Sequence, residues 1–163
     1  MQSLTDTTIK TKNINTYYKE KCEWTAYLKD FSNKPISNKK VSISINEKTY
    51  DKITDKTGKI VLKLNLKPGT YAATIRFSGD ENYSKSTAHA LIKVRKSTLK
   101  IIAKNYKTYF ESGFYFKAKV INKVTGNPVE NVKVAFKVYD SNKKFKTYHA
   151  KTNAKGIAEL RKN

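Results

Sequence analysis

The sequence predicts an all-β protein built from two tandem β-sandwiches. Three observations carry this prediction: short segments in which apolar and polar residues alternate, turn residues between those segments, and an internal repeat. Aromatic residues make up 12% of the chain and are largely tyrosine and phenylalanine, which favour strands over long helices.

Residues 67–83 show the strand pattern most clearly. Pro68 and Gly69 predict a type II turn in which Gly69 takes a positive φ. The strand after this turn is predicted to direct every second side chain into the core: Tyr71, Ala73, Ile75 and Phe77. Gly79 and Asp80 predict the next turn, and Tyr83 is expected to close the end of the sandwich.

The chain contains two copies of one module. Residues 8–13 match residues 100–105 at an offset of 92, and Pro35-Ile36 recurs as Pro128-Val129. The core-facing residues of the second predicted strand also recur: Trp24, Ala26 and Leu28 match Phe116, Ala118 and Val120. We therefore expect a complete module over residues 1–96 and a second, truncated module over residues 97–163.

The strands of the two copies are predicted from this pattern. In the first copy they cover residues 7–14, 22–30, 40–46, 48–53, 59–66, 70–78 and 86–95. In the second copy they cover residues 99–103, 114–120, 132–138, 145–150 and 157–160. Seven short strands are typical of an immunoglobulin-like sandwich, so the second copy is expected to lack its last two strands.

The missing strands would flank the strand that carries Val134, Phe136 and Val138. Their absence predicts an exposed apolar face and an open strand edge. Two explanations remain open. Strands of a neighbouring subunit complete the second module, so that the protein forms a homo-oligomer, or the open edge is merely tolerated in a piece of a longer repeat array.

The chain is strongly basic, with 34 lysine and arginine residues against 13 acidic residues and a formal net charge of +21. Only Arg76, Arg95 and Arg161 are arginines, whereas sequence-specific nucleic-acid recognition relies on arginine. Most lysines are therefore expected on a solvated surface, with anionic surface polymers as partners. Nucleic-acid binding is the alternative, with Tyr17, Tyr18, Tyr106 and Tyr109 as candidate stacking residues.

No catalytic or metal-binding motif is visible, so neither an enzyme nor a cofactor is expected. Asp55, Asp80 and Glu81 are the candidates for a calcium cluster, but Thr54-Asp55-x-x-Gly58 is more simply a turn in which the aspartate bonds to backbone. Cys22 excludes an internal disulfide because it is the single cysteine, and its position in the strand pattern predicts a buried side chain. No apolar run is long enough to span a membrane.

The ordered motifs resemble the immunoglobulin-like repeats of large bacterial surface adhesins and of adhesin-like proteins from methanogenic archaea. The resemblance rests on an ordered set of motifs: Leu28-x-Asp30, Pro35-Ile36, Thr54-Asp55-x-x-Gly58, Pro68-Gly69-Thr70-Tyr71 and residues 77–83. The second copy departs from it, since it has Asn122 and Asn153 where aspartate is expected and has no such Pro-Gly-Thr-Tyr turn. The resemblance implies an extracellular stalk or binding role at the cell surface without an active site.

The sequence therefore predicts a non-enzymatic, structural and adhesive module of a cell-surface protein. Its partners are expected to be surface polymers, cells or neighbouring subunits, without insertion into a membrane. The residues expected to matter most are structural: Trp24, Tyr71, Phe77 and Tyr83 in the first core, and Phe116 and Phe136 in the second.

Overall fold

The computed structural model describes residues 3–104 and 113–162, and this part of the chain is all-β, as predicted. Its strands are β1 (Thr7–Thr11), β2 (Ile14–Tyr17), β3 (Cys22–Asp30), β4 (Lys40–Ile45), β5 (Lys48–Ile53), β6 (Lys59–Leu64), β7 (Gly69–Phe77), β8 (Ser86–Arg95), β9 (Leu99–Ala103), β10 (Phe114–Asn122), β11 (Lys133–Tyr139), β12 (Phe145–Lys151) and β13 (Ile157–Lys162). They form two compact units. The first contains Met1–Tyr18 and Cys22–Arg95, and the second contains Lys19–Lys21 and Lys96–Asn163.

The first unit is a sandwich of two sheets. One sheet has the strand order β1-β3-β6, and the other has the order β2-β8-β7-β4-β5. The first three correspond to strands A, B and E of an immunoglobulin domain, and β8, β7 and β4 correspond to G, F and C. The predicted immunoglobulin-like topology is thus confirmed for this unit.

The core of the first unit lies between these sheets because each strand directs alternate side chains inward. In the register of β4 and β7, Ile43 lies opposite Ile75, and both are almost completely buried. The buried core comprises Trp24, Ala26, Leu28, Ile36, Val41, Ile43, Ile45, Ile60, Leu62, Ala73, Ile75, Phe77, Ala90, Ile92 and Val94. Lysines such as Lys63 and Lys93 occupy the outward positions of the same strands.

The predicted single strand over residues 7–14 was wrong, because the chain changes sheets within it. β1 pairs antiparallel with β3, whereas β2 pairs parallel with β8 in the opposite sheet. The crossing at Lys12 and Asn13 is held by side chains: Trp24 Nε1 donates to the Lys12 carbonyl at 2.9 Å, and the Leu91 amide donates to Asn13 Oδ1 at 2.8 Å. A period-two pattern continues through such a crossing, so it does not reveal the change of sheet.

The predicted positive φ at Gly69 was also wrong. Among the described residues, the glycines with positive φ are Gly58, Gly79, Gly113, Gly126 and Gly156, and Gly69 instead begins β7. The Tyr71 hydroxyl donates to the Lys67 carbonyl at 2.9 Å, and a Cβ on Gly69 would lie only 3.2 Å from that hydroxyl oxygen. Glycine therefore makes room for the Tyr71 ring, in the manner of the tyrosine corner of immunoglobulin-like sandwiches.

The second unit contains the corresponding sheet β13-β10-β9 and a separate two-stranded sheet, β11-β12. Within the described residues, no strand takes the place that β7 and β8 occupy in the first unit. The buried cluster is correspondingly small: Ala118, Val120, Val129, Val134 and Ala158. Ile101 lies opposite the buried Val120 and so points inward, yet its side chain is 59% exposed.

Equivalent backbone hydrogen bonds recur in the two units. The Leu28 amide donates to the Gly58 carbonyl at 2.8 Å and the Leu28 carbonyl accepts from Ile36. In the second unit, the Val120 amide donates to the Gly156 carbonyl at 2.8 Å, and the Val120 carbonyl accepts from the Val129 amide at 3.1 Å. Gly58 and Gly156 have φ values of 71° and 73°, so the sequence repeat is also a repeat of local structure.

The six predicted core residues differ in burial. Trp24 and Phe77 are buried, whereas Tyr71 and Tyr83 are half-buried against the same core. Phe136 is half-buried against the second cluster, and Phe116 stacks on Phe114 with ring centroids 4.9 Å apart. Their weight in stability stays a prediction. Cys22, expected inside, is only half-buried because it is the first residue of β3.

Candidate binding surfaces

Two of the three acidic residues considered for calcium, Asp55 and Asp80, accept hydrogen bonds that hold turns. Asp55 Oδ1 accepts hydrogen bonds from the Thr57 hydroxyl and from the Thr57 and Lys59 amides, at 2.7 to 3.0 Å. These bonds, with the hydroxyl bond contributing most, hold the pKa of Asp55 below its usual value. The predicted turn at Asp55 is therefore confirmed. Within residues 3–104 and 113–162, no three side chains of histidine, cysteine, aspartate or glutamate form a metal-binding group.

Asp80 stabilises the next turn in the same way, by accepting hydrogen bonds from backbone amides. Its Oδ1 accepts from the Asn82 and Tyr83 amides at 2.9 and 3.0 Å, and its Oδ2 lies 2.6 Å from Lys39 Nζ. The hydrogen bond from Lys39 is the main reason why the pKa of Asp80 is lowered, and it raises the pKa of Lys39 in return. The carboxylate thus fixes the turn that places Tyr83 against the core.

Asn153 repeats the turn geometry of Asp55 without the charge. Its Oδ1 accepts from the Lys155 and Ile157 amides at 2.9 and 3.1 Å, the positions that Thr57 and Lys59 occupy in the first unit. Because an amide oxygen accepts these bonds as a carboxylate oxygen does, the departure from aspartate leaves the turn intact.

Asn122 is the second departure from the expected aspartate, and it is completely buried. Its Oδ1 accepts from the Val124 amide at 2.9 Å, and its Nδ2 donates to Glu20 Oε1 at 2.7 Å within the second unit. Thr125 and Asn127 also donate to the Glu20 carboxylate. An aspartate at position 122 would accept but not donate, so it would face Glu20 with a like charge.

The outer surface is dominated by cations. Acidic partners occur at some lysines, as in the pairs Lys40–Asp51 at 2.7 Å and Lys117–Glu159 at 3.2 Å. With a formal net charge of +21, such pairing leaves a large positive excess. Lysines occupy outward positions of β8, β10 and β11, beside apolar residues that point inward, so part of the excess charge lies on the outward faces of the sheets.

A cleft of about 360 Å³ lies in the first unit where β1 ends and the chain crosses to β2. Trp24 forms part of its wall and is fixed by the hydrogen bond to Lys12 described above. The cleft is also lined by Lys10, Lys12, Glu23 and the half-buried Tyr27. Since Lys10 Nζ donates to Asn33 Oδ1 at 2.7 Å, the polar and aromatic lining of the cleft suits a small polar ligand.

Two of the four tyrosines considered for nucleic-acid stacking do not present a fully exposed ring on which a base could stack. Tyr17 and Tyr18 are half-buried, and Tyr18 packs against the core of the first unit. Tyr106 and Tyr109 lie outside the described residues. The described part of the chain therefore provides no support for stacking of bases on Tyr18.

Sequence reasoning missed three surface aromatics. Tyr27 lines the cleft, and Tyr139 and Phe145 are 59% and 53% exposed on neighbouring strands of the second unit. The sequence pattern could have revealed them, because each of these aromatic residues occupies a strand position whose side chain points outward and is otherwise filled by polar residues.

No protein family profile matches the chain, and no curated protein matches it. Solved structures that match include fibronectin(III)-like modules of CbhA from Clostridium thermocellum, at 14% identity and a TM-score of 0.36, covering 57% of this chain and 98% of that one. The adhesin InvE of Yersinia pseudotuberculosis matches at 16% identity and a TM-score of 0.39, covering 94% and 50%. The glucan-utilization protein SGBP-B of Bacteroides ovatus matches at 13% identity and a TM-score of 0.36. This match covers 96% of this chain and 47% of that one.

The chain spans about half the length of the InvE and SGBP-B structures that it matches. No helix that could cross a membrane occurs in the described ranges.

Proposed function

We propose that the chain is a non-enzymatic adhesive module of a cell-surface protein and binds an anionic surface polymer. The observation that carries this proposal is the placement of charge: apolar side chains fill the first unit, while the outward positions of the strands present lysines at a net charge of +21. A surface of this kind attracts polyanions over a distance of about one Debye length, roughly 8 Å at physiological salt.

Two of the three acidic side chains considered for calcium support the same proposal. Asp55 and Asp80 hold turns, so neither is left as a base or a metal ligand at a cleft. A module of this design adds length and binding area to an extracellular array without doing chemistry itself. Basic nucleic-acid or polyanion binding is the alternative, since duplex DNA is also a dense polyanion.

The full chain should prefer one anionic surface polymer over others of equal charge. Binding to immobilised polygalacturonate, polyglutamate, polyphosphate and duplex DNA is measured at several salt concentrations, with neutral dextran as the control. The proposal expects a preference that persists as salt rises. Affinities that fall steeply with salt and do not depend on polymer identity would instead support general polyanion binding.

We also propose that a second copy of the chain completes the second unit by strand complementation. Within the described residues, the edge of β11 that corresponds to the β7-facing edge of β4 has no strand beside it, and the inward-pointing Ile101 is 59% exposed. Unpaired backbone groups and uncovered apolar side chains at a sheet edge favour pairing with another chain.

Complementation predicts that the protein is a dimer or larger assembly at micromolar concentration. Size-exclusion chromatography with light scattering measures the mass, and amide hydrogen exchange of β11 is followed as the protein is diluted. Protection of β11 should fall when the assembly dissociates. A monomer at every concentration with β11 well protected would contradict this proposal.

A further inference from the structure

The outer face of the β11–β12 hairpin combines exposed aromatic rings with lysines. The register pairs Tyr139 with Phe145, Lys137 with Thr147, Ala135 with His149 and Lys133 with Lys151. All eight side chains are exposed, whereas the alternate residues Val134 and Phe136 turn towards the buried cluster. These eight residues are called the hairpin face below.

The aromatic end of the hairpin face is ordered by its own contacts. The rings of Tyr139 and Phe145 lie with centroids 5.4 Å apart and planes inclined by 51°. Lys137 Nζ lies 4.6 Å from the centroid of Phe145. Two aromatic side chains more than half exposed side by side cost solvation free energy that packing within the module does not recover. Such exposure is typical of a binding surface.

The opposite end of the hairpin face carries two lysines whose positive charges repel each other. Lys133 and Lys151 lie directly opposite each other in the strand register, and like charges in that position destabilise a strand pair. None of the eight residues is acidic. Asp140, in the adjoining turn, accepts hydrogen bonds from the Asn142 and Lys144 amides with its Oδ1. An anionic ligand would relieve the repulsion between the two lysines.

We propose that the hairpin face binds a linear polysaccharide of acidic sugars; this rests on the proposed function and names its ligand class and site. Tyr139 lies six positions after Lys133, so the face is about 20 Å long, enough for several sugar units. The apolar side of a sugar ring packs against Tyr139 or Phe145, while its carboxylates bind Lys133, Lys137 and Lys151.

The cations of the hairpin face favour a carboxylated sugar over a nucleic acid. All three are lysines, whereas arginine is the preferred residue for recognition of nucleic acids. The 51° inclination between the rings prevents a flat base from inserting between them, although a base could still stack on one open ring face. Single-stranded nucleic acid is the competing ligand that the test must exclude.

The test uses the full chain, short oligogalacturonate as the probe, and calorimetry or spectral titration to measure Kd. Y139S/F145S should weaken binding about tenfold, because it removes both rings. The matched control is F31S, which changes a 78% exposed aromatic residue of the first unit and should leave Kd unchanged. K133Q/K151Q should also weaken binding and flatten its salt dependence, whereas K63Q/K93Q should alter it much less.

Each outcome decides a different point. Because the altered side chains are exposed, hydrogen exchange of β10 should be the same in all variants, which separates loss of binding from unfolding. Loss of affinity in Y139S/F145S but not in F31S supports the hairpin face. If the wild type binds oligogalacturonate and Y139S/F145S binds equally well, the hairpin face is overturned and the proposed function stands. If oligothymidine binds more tightly, the acidic-glycan assignment is overturned. If the wild type binds no anionic polymer, both proposals fail.

Discussion

Gly156→Ala is expected to unfold the second unit while leaving the first intact. Gly156 has a φ of 73°, and a Cβ there would lie 2.5 Å from the Val120 carbonyl oxygen and 3.0 Å from Pro128 Cβ. The backbone must move to relieve this contact, yet it carries the bond from the Val120 amide to the Gly156 carbonyl. We expect a loss of about 3 kcal/mol or more, a large share of the stability of so small a core.

Gly126→Ala is the matched control for this prediction. Gly126 has nearly the same φ, 74°, but nothing lies within 4 Å of its Cβ position. The substitution should therefore lower the free energy of unfolding only by the strain of a left-handed backbone at alanine, about 1 kcal/mol. Amide hydrogen exchange of β10 and β13 measures both variants, with β3 and β7 reporting on the first unit. Equal losses in the two variants would show that steric contact at Gly156 is unimportant.

Asn122→Asp should destabilise the second unit by about 3 kcal/mol at neutral pH. The buried Asn122 donates from Nδ2 to Glu20, and the substitution replaces this donor with a buried carboxylate next to another carboxylate. Burial and like charge raise the pKa of the introduced group in the folded state. The stability is therefore retained below the unfolded pKa of about 3.9 and lost as pH rises through the raised folded pKa.

Charge repulsion predicts a specific rescue. In E20Q/N122D, the amide of the substituted Glu20 again donates to a carboxylate, so exchange protection of β10 should recover in part. E20Q alone leaves two amides in contact and should cost about 1 kcal/mol. The pH dependence is followed from pH 4 to 8 by denaturant unfolding. A double variant as unstable as N122D would mean that the interaction with Glu20 does not decide why this position is asparagine.

Much of the local structure follows from sequence alone because short-range rules decide it. Alternation along residues 71–77 predicted which side chains of β7 point inward, and Ala73, Ile75 and Phe77 are buried as expected. The turn at Asp55 was predictable because an aspartate side chain readily accepts a hydrogen bond from the backbone amide two residues later, here that of Thr57. The candidate surface was predictable only as a general excess of lysine.

Contacts between distant parts of the chain decided the rest. Alternation assigns side chains to two faces of a strand, but it does not say which sheet the strand joins, so the crossing between β1 and β2 was missed. It also does not say whether an inward face is covered. Leu28 and Val120 occupy matching positions and both are buried, yet Ile9 packs on its core while the corresponding Ile101 stays 59% exposed.

The sequence by itself therefore determined the all-β class, the repeat, the turn at Asp55 and the excess of positive charge, since these depend on residue type and spacing. Only the tertiary structure decided that Tyr139 and Phe145 stand side by side with Lys137, and that Asn122 meets Glu20. The physical reason is that register and burial arise from pairing between segments far apart in the chain, and period and propensity do not encode that pairing.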